Sequence, residues 1–470
     1  MSSYTITNNK LDKNKVFILQ KSKFEKRFDP EFYGHIFNQY EKQLVKKPLK
    51  KFNKILKSIN NGFDFREYKD FGTPYLKVAN IRKGEFRFNK MQYIDFNSSE
   101  ITKNIQLKKG NLLLTRKGTF GYAISLDKDY DYVISSEVFY IEINQELINS
   151  KYLEIFFNSK IGQAQFDKNK IGAIMGSLSQ DAIKDLIIPT PSIETQNKII
   201  EIYSIYILQK QKNEAEAEKL LASIDTYLLN QLGITLPTQE ENTLKNRMFT
   251  TSLKELSSSR FDPNYHTKYF KEIFKSFENG KFEYSIIKNY AKFQPGYAFK
   301  STDYLDNSNC LLITIKNIRQ NQIDIKNATF LPEDFYEIYE DFQIKKDDLL
   351  IAMTGATIGK VGIYDHEEKS LLNQRNGIIK PSNINSIYLM SLLNLNVFQS
   401  IILRNSNGGA QPNISETDIM KIKIPVPPIE KQQEIANRIT QIRQQAQALK
   451  NKTKIALQKA NEEIENLLLY

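Results

Sequence analysis

Two kinds of stretch carry residues spaced as if for chemistry. The first is "GATIGKV" (Gly355–Val361), which has the outline of a phosphate loop. In such a loop the glycines let backbone N–H groups wrap a phosphate while the Lys neutralises it. The motif needs four residues between its glycines and a Ser or Thr after the Lys; here three intervene, and Val361 follows Lys360. The matching stretch "GTFGYA" (Gly118–Ala123) has no Lys. A turn with a structural or nucleic-acid-facing role accounts for both better than nucleotide binding does. The second kind is "KVANIRK" (Lys77–Lys83) and "TIKNIRQ" (Thr314–Gln320), where Asn, Arg and Lys follow short apolar runs. Base edges are read by planar or forked donors, and phosphates by Lys, Arg and hydroxyls.

On that basis the candidates in the first half are Lys77, Asn80, Arg82 and Lys83, then Thr115, Arg116 and Lys117. In the second half they are Lys316, Asn317, Arg319, Thr354, Lys360, Gln374, Arg375 and Asn376. Asn80/Asn317 and Arg82/Arg319 recur, which argues for a shared structural or phosphate role. Positions that differ are better placed to specify: Arg116-Lys117 against Met353-Thr354, and Ser135-Ser136 against Gln374-Arg375. At each of these a solvated surface charge is the alternative.

No set of residues for covalent chemistry stands beside them. There is no GxGxxG after a strand and no Asp-Pro-Pro-Tyr loop of the adenine-methylating kind. The carboxylates form no distinctive nuclease arrangement. His35, His266 and His366 are scattered, and His366 in "YDHEEK" reads as a solvated turn. The single Cys310 rules out an intramolecular disulfide framework and a Cys-based zinc site.

The elements that position these residues come in two copies. "RFDP" occurs at Arg27–Pro30 and again at Arg260–Pro263, about half a chain length apart. The register then holds: "NGFDF" (Asn61–Phe65) faces "PGYAF" (Pro295–Phe299), and "GNLLLTRKGTFGYAI" (Gly110–Ile124) faces "DDLLIAMTGATIGKVGI" (Asp347–Ile363). "LIIPTPSIETQNKII" (Leu186–Ile200) faces "IKIPVPPIEKQQEIA" (Ile422–Ala436). Such a period means a duplicated domain.

At 470 residues and 40% hydrophobic, the chain can bury two sizeable cores. Net charge +12 and pI ≈ 9.2 favour a polyanionic partner, with general Lys richness as the bland alternative. No window has the length and apolarity of a membrane span, and the N-terminus lacks a signal-type apolar core, so a cytoplasmic location is expected.

Within each copy, short runs such as "YLKVANI", "NLLLT", "LLITIKNI" and "NGIIKP" read as strands, and "INSKYLEIFFNSKIGQAQF" and "INSIYLMSLLNLNVFQSII" as helices. The fold class is therefore α+β, mixed within each unit. Each copy ends on prolines (Pro189/Pro191 and Pro425/Pro427/Pro428), followed by polar segments without Gly or Pro, Glu194–Leu232 and Glu430–Tyr470. In the second, Ile435, Ile439, Ile442, Ala446, Leu449, Thr453, Ala456 and Ala460 alternate spacings of four and three, a coiled-coil seam. In the first, Ile199, Tyr203, Tyr206, Ala217, Leu220, Ile224 and Leu228 do the same around a polar middle. The expected organisation is a globular domain over 1–192, a long helix over 193–233, a linker over 234–245, a second domain over 246–428 and a second long helix over 429–470.

A unit ending in "GGAQPNISETDIMKIKIPVPPIEKQQEIANRI" (Gly408–Ile439), followed by a long helix and preceded by a second copy, resembles the DNA-specificity subunit of type I restriction–modification systems. The resemblance covers essentially the whole chain. The first copy carries a weaker form, "GAIMGSLSQDAIKDLIIPTPSIETQNKII" (Gly172–Ile200), with Met175-Gly176 in place of Gln411-Pro412. Ser179 and Ser415 are placed to cap short helices, with Asp418 completing something close to a capping box.

The resemblance implies a non-catalytic protein that reads a bipartite, asymmetric target in double-stranded DNA, one half-site per domain. Its partners would be two methyltransferase (modification) subunits and restriction/translocase subunits, without a membrane. No cofactor is implied on this chain; S-adenosylmethionine, ATP and magnesium would belong to the partners. The two long helices would pair antiparallel. Alternatives from other classes are a detached recognition part of a fused methyltransferase–endonuclease and a coiled-coil protein-binding adaptor.

If the paired helices set the gap between half-sites, their length of about 60 Å caps it near 17 base pairs. Domain centres about one helical turn apart leave an unspecified spacer of about 5–8 pairs. Inserting four residues, about 6 Å of helix, near both Lys212 and Lys450 should lengthen the spacer by one or two pairs. Methylation-site sequencing reads the result; an unchanged spacer sinks the ruler.

Overall fold

Alternation along one strand shows how each domain is layered. Leu112 and Leu114 enter one core with Phe139 and Ile141, while Leu113 enters another with Val138 and Tyr140. A strand buried on both faces reads as a continuous apolar run, and "LLL" is one. The second copy repeats the division: Leu349 and Ile351 lie in one core, Leu350 and Ala352 in another.

The structure is a computed structural model. It describes residues 32–33, 36–45, 47–89, 91–95, 105–172, 176–238, 243–253, 261–406 and 412–469. The first RFDP motif, Arg260 of the second, His35, Met175 and Gln411 lie outside the described residues.

Contacts gather the chain into two compact units, one running to Asn213 and resuming at Asn451, the other comprising Glu214–Lys450. The first unit holds a four-stranded antiparallel sheet in the order Leu56–Asn61, Val138–Ile143, Leu112–Thr115, Ala123–Ser125. The second holds its counterpart, Ala291–Pro295, Asn376–Pro381, Leu349–Ala352, Val361–Ile363. A second sheet accompanies each, three-stranded in the first unit and four-stranded in the second, and contains one parallel pair, Tyr75↔Val133 and Leu311↔Ser370 respectively.

The apolar helical stretches are each broken into two. In the first unit Ser159 stops Ser150–Asn158 and caps Lys160–Asn169, its Oγ accepting from Gly162 N at 3.2 Å. The second unit has Ser386–Leu393, buried from Tyr388 onward, and Asn396–Asn405, which turns Val397, Phe398, Ile401 and Ile402 into the core. Among the described residues no single helix is long and apolar enough to cross a membrane.

Two helices run far beyond the others, Ile193–Leu232 with 40 residues and Ile429–Leu469 with 41. Gly233, at φ +66°, ends the first in the left-handed conformation that favours glycine. Neither helix can bury its apolar stripe alone. In the first unit Ile199 and Tyr203, near the start of one helix, share a core with Ile464 and Leu468, near the end of the other. In the second unit Ile224, Leu228 and Leu232 share a core with Ile435, Ile439 and Ile442. Both pairings are antiparallel, as expected. Where the seam turns polar, Asn213 Nδ2 donates to Thr453 Oγ1 at 3.0 Å, both side chains buried.

The helices also cap the domains they cross. Glu465 accepts from Lys160 N in the first unit and Asp225 from Asn396 N in the second, each at 3.3 Å. Ala460 is fully buried in the seam, whereas Ala456 is half-buried. Ala460→Leu should therefore overpack the pairing and destabilise the protein by about 1–3 kcal/mol, read as a lower urea midpoint, with a smaller effect for Ala456→Leu.

Candidate nucleic-acid interface

One end of each four-stranded sheet collects loops from distant parts of the sequence. In the second unit Gly296 N donates to Asn376 O at 3.0 Å, Met353 N to Arg375 O at 2.9 Å and Ile414 N to Met353 O at 3.0 Å. Thr354 bridges Asn413. These bonds frame a cleft of about 410 Å³ whose walls include Gly296, Met353, Thr354, Arg375 and Asn413. The first unit has the same frame: Gly62 N to Val138 O at 3.2 Å, Arg116 N to Glu137 O at 2.8 Å, Leu178 N to Arg116 O at 3.0 Å, and Lys117 bridging Ser177.

The glycine shared by "NGFDF" and "PGYAF" has a physical reason. A Cβ on Gly62 would meet Ile134 O at 1.9 Å, and one on Gly296 would meet Asn373 O at 2.1 Å, so only glycine allows this approach. Gly118 and Gly355, by contrast, sit at φ +66° and +70° with nothing within 4 Å of a built Cβ. Their loops project into open space.

Several candidates belong to the fold rather than to its surface. Asn80 is buried, accepting from Lys77 N at 3.0 Å and donating to Arg87 O at 2.9 Å. Asn317 makes the same staple, from Thr314 N at 2.9 Å and to Asp324 O at 2.8 Å. Thr115 is fully buried, its Oγ1 accepting from Tyr122 N. Asn376 is buried, its Nδ2 donating to Asn373 O and Gln374 O. Asn80, Asn317 and Thr115, enclosed and engaged in this way, are corrected to architectural residues; Asn376 also lines the cleft, and its Oδ1 is buried without a partner among the described residues.

Arg82 and Lys83 are also displaced from the interface. Arg82 Nη1 donates to Val78 O and Ile81 O, and Lys83 Nζ to Asn158 O at 3.3 Å. Both line a separate cavity of about 350 Å³ with Tyr203, Lys210 and Glu465 of the long helices. Lys316 and Arg319 are exposed but lie outside the second unit's cleft, as does the half-buried Lys360.

Arg116 is half-buried, with Nε donating to Leu178 O at 3.3 Å and its guanidinium 5.4 Å from the Phe139 ring. It is tied back into the frame. Lys77 Nζ reaches Tyr68 Oη at 3.2 Å. The free, exposed candidates at the loop end are Lys117 in the first unit and Gln374 and Arg375 in the second, with Thr354 half-buried beside them.

The strand register also moves one comparison. Val138 pairs with Thr115, and Asn376 with Ala352. Ser136-Glu137, not Ser135-Ser136, therefore stand opposite Gln374-Arg375. Sequence reasoning missed Glu137 for this reason, because the two turns share no residue to align on. It also missed Asn413, although "QPNIS" was in view, and Tyr297. That tyrosine is 39% exposed, with its ring 4.8 Å from Tyr339 and its backbone O accepting from Gln374 N at 2.7 Å.

Arg375 adopts φ +69°, a left-handed conformation costing a non-glycine residue roughly 1–2 kcal/mol. The phosphate-loop look-alike folds as a short 3-10 turn, Gly355–Thr357. Among the described residues no group of His, Cys, Asp or Glu could hold a metal ion. Burial pushes the Cys310 thiol up to about 11, away from nucleophilic use at neutral pH.

The sequence model of the type I restriction modification DNA specificity domain matches residues 45–222 and again residues 263–459. The chain belongs to this DNA-specificity family. The MjaVIII specificity subunit of Methanocaldococcus jannaschii, a type I restriction enzyme component, is 26% identical, covering 84% of this chain and 85% of the relative. The EcoBI specificity subunit of Escherichia coli is 22% identical, covering 87% and 82% respectively. A solved S subunit of a type I restriction–modification system from M. genitalium is 13% identical, covers 89% of this chain and 95% of its own, and has a TM-score of 0.42.

In this specificity-family chain the motif "IPTPSIETQ" or "IPVPPIEKQ" works as a joint. Gln196 accepts from Asn149 N at 2.9 Å and donates to Pro191 O at 3.0 Å; Gln432 accepts from Asn385 N at 2.9 Å and donates to Pro427 O at 2.8 Å. Ser179 and Ser415 cap their helices, each accepting an N–H at 3.1 Å, and Ser415 Oγ also reaches Asp418 at 2.6 Å. Replacing Asn317 with Ala leaves Thr314 N without its acceptor and should cost about 1–3 kcal/mol of stability. A thermal melt checks this, while the salt dependence of DNA binding should not change.

Proposed function

We propose that this chain is the DNA-reading, non-catalytic subunit of a type I restriction–modification assembly, with one half of an asymmetric target read at the loop end of each unit. One observation carries the reading. Both units build the same backbone frame from matched hydrogen bonds, yet present different side chains on it: Arg116, Lys117, Glu137 and Ser177 against Met353, Thr354, Arg375 and Asn413. A constant frame with variable residues is what two readers of two different sequences require. The net charge of +12 supplies the sequence-independent attraction to phosphate.

On this reading the partners are two modification methyltransferase subunits and the restriction/translocase subunits, engaged through the long helices. S-adenosylmethionine, ATP and magnesium act on those partners, and the assembly works in the cytoplasm. The buried joints at Gln196 and Gln432 support this division, since they tie each long helix rigidly to the domain it leaves.

Binding of the full chain to duplex DNA should weaken as salt rises, with a log–log slope of roughly −0.9 for each phosphate neutralised. Fluorescence anisotropy between low and physiological salt measures it. Absence of salt-dependent binding would favour the protein-binding adaptor instead.

A further inference from the structure

The turn that enters the last long strand of each sheet holds residues of opposite charge at one and the same frame position. Glu137 O accepts from Arg116 N at 2.8 Å; Arg375 O accepts from Met353 N at 2.9 Å. The two backbones are thus pinned alike, and the two side chains have no hydrogen-bonding or ionic partner among the described residues. Arg375 is exposed and Glu137 half-exposed.

The Arg375 turn is built to hold its shape. Asn376 Nδ2 donates to Asn373 O at 3.1 Å and to Gln374 O at 3.2 Å, and Gln374 N donates to Asn373 Oδ1 at 2.8 Å. Those bonds keep Arg375 at φ +69°. A residue held in a left-handed conformation with its side chain unengaged is a common sign of a constrained functional position.

Resting on the proposed DNA-reading function, we infer that Glu137 and Arg375 are the matched base-reading position of the two units. Arg375 takes the O6 and N7 acceptors of a guanine, and Glu137 takes the exocyclic amino group of a cytosine. The charge reversal decides between the surfaces a duplex offers. A phosphate would attract Arg375 but repel Glu137, so a frame position facing the backbone would not carry both. Base edges in the major groove present acceptors and donors alike, and Arg with guanine and Glu with cytosine are among their matched pairs. The two half-targets therefore differ at the base pair this position meets, which makes the whole target asymmetric there.

The test uses the full chain and a duplex library randomised across the target. The wild-type chain should enrich a split sequence with a guanine in one half and a cytosine in the other. In the enriched duplex, guanines of the half read by the second unit are replaced one at a time by 7-deazaguanine, which lacks the N7 acceptor but still pairs. One position should weaken binding roughly 5- to 150-fold, the range of a bidentate base contact. That sensitivity should vanish in Arg375→Gly, which suits the left-handed turn and so keeps the fold. Glu137→Arg should convert one base pair of the other half from cytosine to guanine and leave the remaining positions unchanged.

The inference is overturned if no 7-deazaguanine position matters, or if it matters equally in Arg375→Gly. Uniform weakening of every sequence by Arg375→Gly would likewise make the residue a phosphate contact. If the wild-type chain enriches no sequence at all, the proposed DNA-reading function fails, and this assignment with it.

Discussion

The structure depends on one constraint: a 40-residue helix with a narrow apolar stripe cannot be buried by the domain it leaves. Each unit therefore closes its core with a segment from elsewhere in the chain. Ile464 and Leu468, at the far end of the sequence, complete the core built around Phe139 and Phe156. Ile224 and Leu228 complete the core around Tyr388 and Phe398. Antiparallel pairing is the arrangement that lets the start of each helix stay with its own domain while its end serves in the other core. The fully buried Ala217, Ala446 and Ala460 let backbones approach along the seam, and the buried Asn213–Thr453 bond fixes register at a point where slippage would otherwise cost little.

Much of this was legible in the residues. The duplication, the helical seam and its small residues, and the strand runs all follow from period and composition, which depend on local pattern; the antiparallel direction comes from the family resemblance. The site was less legible because its chemistry depends on burial. Asn80 and Asn317 look like base readers by type and recur like a functional motif, yet each staples a hairpin through its own amide. Nothing in "ANIR" or "KNIR" tells an inward amide from an outward one. Arg116 has a readout residue's type but returns its Nε to Leu178 O, a contact made across 62 positions that only the fold supplies. Glu137 was hidden because the turn before the last long strand shares no residue between copies, and only the pairing of Val138 with Thr115 sets its register.

The two copies kept their neutral clamps and changed their charged ones. Asn158 accepts from Ala123 N and donates to its O; Asn394 does the same to Val361. Gln163 and Gln399 each bond two carbonyls in matched places. Such clamps depend on backbone geometry alone, so they persist as long as the fold does. The charged groups at the helix joints do not match. Glu154 is fully buried in the first unit, satisfied by Lys151 Nζ and by Ser125; the corresponding residue of the second unit is Met390. Arg443 lies in the second joint where the first has Ile207. It donates to Asn321 Oδ1 and Ser391 Oγ; among the described residues no carboxylate pairs with it, and its Nε is buried without a partner.

Desolvation lowers the Arg443 guanidinium to about 10, which leaves it charged at neutral pH. A buried charge held only by neutral acceptors is weak evidence for stability, and removing either acceptor would leave it worse compensated. Its consequence is specificity of fit. The second helix fits a hairpin whose turn residue, Asn321, sits at φ +71° with its Oδ1 shared between Arg443 and Asn394. The first helix fits a hairpin whose turn is Gly84 at φ +73°, open enough for Glu154 and Tyr203 to crowd against it. Exchanging the hairpins would put a guanidinium against a glycine that offers no side-chain acceptor, and an asparagine side chain into the space of Glu154 and Tyr203. Each domain is thus matched to its own helix, by close packing at Gly84 in the first unit and by a buried polar contact at Asn321 in the second, while the backbone frame at the loop end stays common to both.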